Sequence, residues 1–282
     1  GRMLVIDLVA HHVRLGAGRP RQRHAADAVG LGGHLGGRHG TRLARSIGVT
    51  AEKIRIVHPG VTLPAAPQNA AALQDFRQRH QLGNQRLLLS VGRLTTRKGL
   101  REFVQHALPA IIQAAPDTLL AVVGEAPADS LHASVQTRAS IQAVADAAGI
   151  GQHLRFLGVI TDPQELACAY ESATLHIFPV RQLPGDPEGF GMVAIEAAAH
   201  GLPTVAFATG GIVDAVAQGQ SGHLVAPGDY PALAQAAVQV LADDPGAWQA
   251  RASAFAAQFA WPVMGQKLGG ILVAGINLQT KD

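Results

Sequence analysis

LLLSVGRLTTRKG, residues 87–99, decides the fold. Five residues, four of them apolar, run without alternation into a glycine, and three cations follow within seven positions. A continuous apolar run of that length, bounded by a turn residue, reads as a strand buried on both faces. Leu100–Ala115 then carries helical spacing through Phe103, Val104, Ala107, Leu108, Ile111 and Ile112. The unit repeats downstream. TLLAVV (118–123), LRFL (154–157), TLHIF (174–178), PTVAF (203–207) and HLV (223–225) read as strands. Helices are expected between and after them, over Ser130–Ala148, Pro163–Ser172, Gly189–Ala199, Ile212–Ala217 and Tyr230–Ala242. Two further helical stretches, Trp248–Phe259 and Pro262–Leu278, close the chain. Short apolar strands alternating with helices imply an α/β fold, a doubly wound Rossmann-like parallel sheet covered on both faces. Ligands in such sheets bind beyond the carboxyl ends of the strands, so the chemistry belongs in the loops that follow them.

Upstream the rhythm weakens. Met3–Val9 reads as a strand and Lys53–Val57 as a short one, with a helix near Ala70–His80. Residues 14–45 are rich in Gly, Arg and His, and the one helical candidate there is Gly40–Ile47. Residues 1–58 hold ten Lys/Arg against three Asp/Glu, and the rest of the chain thirteen against seventeen. The net charge of +3 therefore conceals a basic front. That front reads as a solvated tail with no nucleic-acid partner. Hydrophobic residues make up 48% and charged ones 15% of the chain, ordinary for a globular protein. The single cysteine, Cys168, excludes an internal disulfide and reads as a small buried hydrophobe. No apolar run reaches the roughly 20 residues of a membrane span. The thirteen histidines lack zinc-site spacing, so no metal is expected.

Four loops carry candidate chemistry. In PEGFGMVAIEAAAHG (187–201) two carboxylates, Glu188 and Glu196, flank seven residues. Gly189, Phe190 and Gly191 lead into a helix whose first N–H groups favour an anion. Glu196 falls about two turns along it and can accept hydrogen bonds from a vicinal diol such as a ribose. In VGRLTTRKG (91–99) Gly92 ends the strand, and Arg93 and Lys98 suit a diphosphate. Arg97 reads as part of a solvated basic turn. ATGGIVD (208–214) places Gly210 and Gly211 before a helix, and there Asp214 suits the helix dipole as well as it suits a ligand. GHLVAPGD (222–229) reads as structural, with Asp229 capping the next helix.

With these segments in view, the chain resembles the retaining GT-B glycosyltransferases of the family 4 type, the glycosyl transferases group 1. KIRIVHPGV (53–61), VGRLTTRKG (91–99), FLG (156–158), ELACAYESA (165–173), PEGFGMVAIEAAAHGLPTVA (187–206), GGIVD (210–214) and GHLVAPGD (222–229) occur in the family's order. The resemblance implies a nucleotide-diphosphate-sugar site in which Arg93 and Lys98 hold the diphosphate. Glu188, the first Glu of the family's E-x7-E pattern, would stand by the donor sugar and phosphates. Gly92, Gly189, Phe190 and Gly191 would line the donor, and Glu196 would bind its ribose. It further implies transfer with retention, no cofactor beyond the nucleotide sugar itself (GDP-mannose or a UDP-sugar), and a glycan or lipid-linked acceptor. A cytoplasmic location and peripheral attachment at the inner face of a membrane follow from the same resemblance, and self-association is expected from apolar surface exposed where the amino-terminal domain would dock. Residues 1–60 read as a remnant of the amino-terminal GT-B domain, 61–260 as the nucleotide-sugar-binding domain, and 261–282 as a terminal helix crossing back. Three positions depart from the family's pattern. Gly124-Glu125-Ala126-Pro127 lacks the second glycine of G-x-G-P, Asp214 replaces a Glu, and the Gly-rich first loop is missing. A nucleotide-sugar-binding module without turnover and a GT-B nucleotide-sugar epimerase are compatible with the same motifs.

Overall fold

The computed structural model describes residues 4–6, 54–127, 135–184, 186 and 188–279. β1 (Leu4–Ile6) pairs in parallel with β2 (Ile54–Ile56), Leu4 opposite Ile54. The body of the chain is a six-stranded parallel sheet made of β3 (Arg86–Val91), β4 (Thr118–Val123), β5 (Leu154–Gly158), β6 (Leu175–Phe178), β7 (Thr204–Phe207) and β8 (Gly222–Val225). Their spatial order is β5-β4-β3-β6-β7-β8. The connections therefore leave β3 in one direction and resume from β6 in the other. That reversal opens a crevice at the carboxyl ends of β3 and β6.

Alternation along the strands splits the core into two halves. Leu88, Leu120, Val122, Val205 and Phe207 point to one face. There they meet α2 (Leu100–His106), α3 (Leu108–Ala114), α4 (Arg138–Ala147) and α8 (Tyr230–Ala242). Leu87, Leu89, Leu119, Ala121 and Val123 point to the other, toward α1 (Ala70–Arg79) and α5 (Pro163–Ser172). α6 (Met192–Ala199) and α9 (Pro245–Ala257) cover the β6–β7 part of that second face. All six residues of β4 are buried, as a strand covered on both sides requires. Each large side chain so placed contributes about 1.5–3 kcal/mol by leaving water. Several buried positions are polar, among them Thr118, His176 and Thr204 of the strands. His176 of β6 is fully buried, with Nδ1 3.1 Å from Thr204 Oγ1 and Nε2 without a partner among the described residues.

Several expected boundaries move. The stretch Leu100–Ala115 is two helices broken at Ala107, because Pro109 has no N–H to continue the ladder and restricts the residue before it. The Ser130–Ala148 helix begins at Arg138, where Thr137 accepts from the Ser140 N–H. Gln136 just ahead is buried outside the helix, and 128–134 lie outside the described residues. The Trp248–Phe259 helix starts earlier, at Pro245, behind the Asp244 cap. Asp229 caps α8 through the Ala232 N–H as expected, and Cys168 is buried. The Gly40–Ile47 candidate lies outside the described residues. α7 (Ile212–Ala215) is a single turn, and α10 (Trp261–Gln279) ends the described chain. At the edge of the body Val61 N donates to Phe259 O at 2.8 Å, and Val61 bridges Ala260 in parallel.

Candidate functional site

The crevice between β3 and β6 is built from their following loops. Gly92 leaves β3 with its N–H on Val123 O at 2.9 Å. A short 3-10 turn over Thr96–Lys98 then brings the basic segment back across the strand ends. The loop after β6 meets it there, with Arg181 N donating to Arg97 O at 2.8 Å. In this meeting Lys98 Nζ lies 2.9 Å from Glu188 Oε2 and 4.8 Å from the Phe178 ring centre. The same carboxylate oxygen accepts from Arg97 Nη1. Arg97 also pairs with Asp186 at 3.2 Å. Burial holds Lys98 below the ordinary lysine value, while Glu188 pulls the other way and Arg97 and Arg93 add to the depression. Arg93 is exposed at the rim and has no ion pair among the described residues.

Arg97 corrects the reading of a solvated turn. Its side chain is 12% exposed and clamps two carboxylates of the opposite loop. Nothing in the local spacing points to this, because both partners come from a segment roughly ninety residues away.

Helix α6 also begins later than expected, at Met192. Gly191 caps it in the left-handed conformation, φ 84°, and a Cβ there would stand 3.0 Å from Phe178. Glu196 consequently lies just over one turn into the helix rather than two. Gly189 has open space where a side chain would be. Phe190 turns its ring into the core, stacked on His58 at 4.8 Å, and so can offer only backbone to a ligand. Among the described residues Glu196 has no hydrogen bond or ion pair with Lys98 or Glu188. Its Oε2 accepts the Tyr170 hydroxyl at 2.9 Å, a contact that sequence reading did not anticipate.

The tandem glycines hold this loop in place. Gly211 N donates to Glu188 O at 3.1 Å. A Cβ on Gly211 would lie 1.7 Å from Gly189 O, and one on Gly210 2.4 Å from Glu188 O. Gly211 has φ −82°, so space and not backbone conformation forbids a side chain. Gly211→Ala is expected to displace the 188–190 backbone and destabilise the protein by about 1–2 kcal/mol in denaturant unfolding. An unchanged midpoint would mean that the loop yields without cost.

A doubly wound sheet with a cation-lined switch-point crevice defines a nucleotide-binding α/β fold, here the GT-B type. HepE of Anabaena, solved with UDP and glucose, superposes with a TM-score of 0.69 at 21% identity, over 84% of this chain and 61% of that one. Sucrose-phosphate synthase of Thermosynechococcus elongatus does so at 0.66 and 27% identity, over 86% and 58%. Residues 85–243 match the family described as Glycosyl transferases group 1, and the chain belongs to that family. The GDP-mannose-dependent alpha-(1-6)-phosphatidylinositol monomannoside mannosyltransferase of Mycolicibacterium smegmatis is 31% identical over 205 residues. The match covers 72% of this chain and 50% of that protein. The chain spans about half the length of curated relatives it matches.

Proposed function

We propose that the chain binds a nucleotide-diphosphate sugar in the β3–β6 crevice and serves its transfer, with retention, to a glycan or lipid-linked acceptor. The observation that carries this reading is the half-buried Lys98–Glu188 pair at the switch point, with Glu188 eight residues ahead of Glu196. A lysine with so little solvent is primed for an anion stronger than one shared carboxylate. On this reading the donor diphosphate takes Lys98 from Glu188, while Arg97 keeps the carboxylate in place beside the sugar. Arg93 joins from the rim, and the backbones of Gly92, Gly189, Phe190 and Gly191 line the phosphates and sugar. Glu196 binds the ribose. Positive charge from Lys98 and Arg93 stabilises the departing diphosphate as the acceptor attacks on the same face. A phosphate oxygen takes the acceptor's proton, and no cofactor is required.

The donor on this reading is GDP-mannose or a UDP-sugar. The activity for which the Mycolicibacterium smegmatis relative is named supports GDP-mannose and a lipid-linked acceptor. HepE, solved with UDP and glucose, keeps the UDP-sugars in view. A cytoplasmic enzyme, peripheral at the inner face of a membrane, suits such an acceptor. Among the described residues no helix is long and apolar enough to cross a membrane. Exposed Ile56, Leu63 and Trp261 offer apolar surface for self-association. We read residues 61–260 as the donor-binding unit, 1–60 as part of the amino-terminal domain and 261–282 as the helix returning toward it.

Calorimetric titration of the chain with GDP and with UDP tests the reading. Saturable binding of one at unit stoichiometry is expected and identifies the base. Binding of neither by the folded chain would overturn the donor-site assignment.

A further inference from the structure

Glu196 does not hold its carboxylate by itself. Tyr170, in the third turn of α5, crosses to α6 and donates its hydroxyl to Glu196 Oε2 at 2.9 Å. The tyrosine is 2% exposed, and burial followed by the Glu196 charge raises its pKa well above the ordinary value. It therefore keeps its proton and can only donate to the carboxylate. Its ring is itself located. His200 stacks on it with ring centres 5.4 Å apart and planes 9° from parallel. His200 Nδ1 lies 2.8 Å from Glu171 Oε1, and the backbone N–H of Gln68 donates to the other oxygen of Glu171 at 2.6 Å. His200 also closes the carboxyl end of α6 with its N–H on Glu196 O. A column of four side chains thus runs from Glu171 through His200 and Tyr170 to Glu196. Among the described residues Tyr170 is the one side chain bonded to the Glu196 carboxylate.

We infer that Tyr170 is a positioning residue for ribose recognition, fixing the Glu196 carboxylate so that Oε1 and one lone pair of Oε2 face the vicinal diol of the donor nucleoside. This rests on the donor-site reading given above. A glutamate has three rotatable bonds, and an unanchored one would lose that freedom on each binding event. Fixing it beforehand places the cost in folding and leaves the ligand less to organise. The hydroxyl of Tyr170 thereby acts on one part of the ligand, the ribose, and on no other.

That selectivity gives the test. Affinities of the native chain, Tyr170→Phe and Glu196→Ala are measured by calorimetry for GDP, for UDP and for their 2′,3′-dideoxy counterparts. The native chain prefers the ribonucleotide. Tyr170→Phe shrinks that preference about tenfold, the weight of one hydrogen bond to a charged group, and leaves dideoxynucleotide affinity unchanged. Glu196→Ala abolishes the preference. Thermal unfolding of each variant accompanies the titrations. A merely structural role for Tyr170 would weaken both ligands alike and overturn the inference. An unaltered preference in Tyr170→Phe, with the preference lost in Glu196→Ala, overturns the inference and leaves the donor site standing. A preference that survives Glu196→Ala overturns the ribose role and the inference together. Failure of the native chain to bind any of the four removes the donor-site reading itself.

Discussion

On the proposed donor-site reading, Lys98→Ala is expected to lower affinity for the nucleoside diphosphate about 100-fold while leaving the fold intact. Lys98 is a half-buried cation of the crevice, its ammonium 2.9 Å from Glu188 and set over the Phe178 ring. On the proposed reading its loss would remove charge-assisted contacts to phosphate worth about 1.5–3 kcal/mol each, and every 1.4 kcal/mol is about tenfold in affinity. Deleting one partner of a buried ion pair ordinarily strands the other at heavy cost. Here Arg97 remains on Glu188, so the carboxylate stays compensated and the thermal midpoint moves little. Calorimetric titration beside a thermal melt checks both halves. Unchanged affinity would place the diphosphate elsewhere, and an unfolded variant would show that Lys98 holds the fold.

The second large effect concerns acid. His176 is buried in the central strand beneath the site, and burial, with Lys98 nearby, lowers its pKa from 6.5 to about 3. The folded protein keeps this ring neutral, whereas the unfolded chain takes up a proton near pH 6.5. The unfolded state therefore binds more protons throughout the interval from 6.5 down to 3. Stability from His176 is fully present above pH 6.5 and is lost as pH falls through that window, by about 1.4 kcal/mol per unit. Between pH 6.5, where the unfolded chain is already half protonated, and pH 4.5 the loss is about 2.3 kcal/mol. His58 and His223, also lowered by burial, act in the same direction, so the comparison must be between slopes. His176→Phe starts less stable at pH 7, because Thr204 loses its partner. Its denaturant-unfolding free energy then declines with a slope smaller by about one proton. Parallel lines for the two proteins would refute the assignment.

The architecture was legible because each strand is a short, mainly apolar run and most connections carry helical spacing. β4 is the clearest instance, TLLAVV lying between two turns and buried at every position. The boundaries that moved did so for local reasons. Gly191 must adopt a left-handed cap before α6 can start, and Pro109 cuts one apparent helix into two. Of the candidate site, the residues that face each other across the crevice could be named from their loops, Lys98 and Glu188 among them. Their supports could not. Arg97 looks like one more cation of a surface turn, and only the approach of the 186–188 segment makes it a clamp. Tyr170 lies 26 residues before Glu196, in a helix whose own spacing marks it as core. Side chains that act by holding another side chain leave no pattern along one strand or helix, because their partner belongs to a different element.

The meeting of Val61 and Phe259 has a mechanical consequence. Where the chain enters the sheet body it is hydrogen-bonded to where it leaves, at 2.8 Å. Because the two segments run parallel there, tension transmitted through the flanking segments would load that contact first, in shear. The ladders of β3, β4 and β6 would not be sheared. The body between the two residues is thus a closed circuit of chain, insulated from movement of whatever its two ends are tied to.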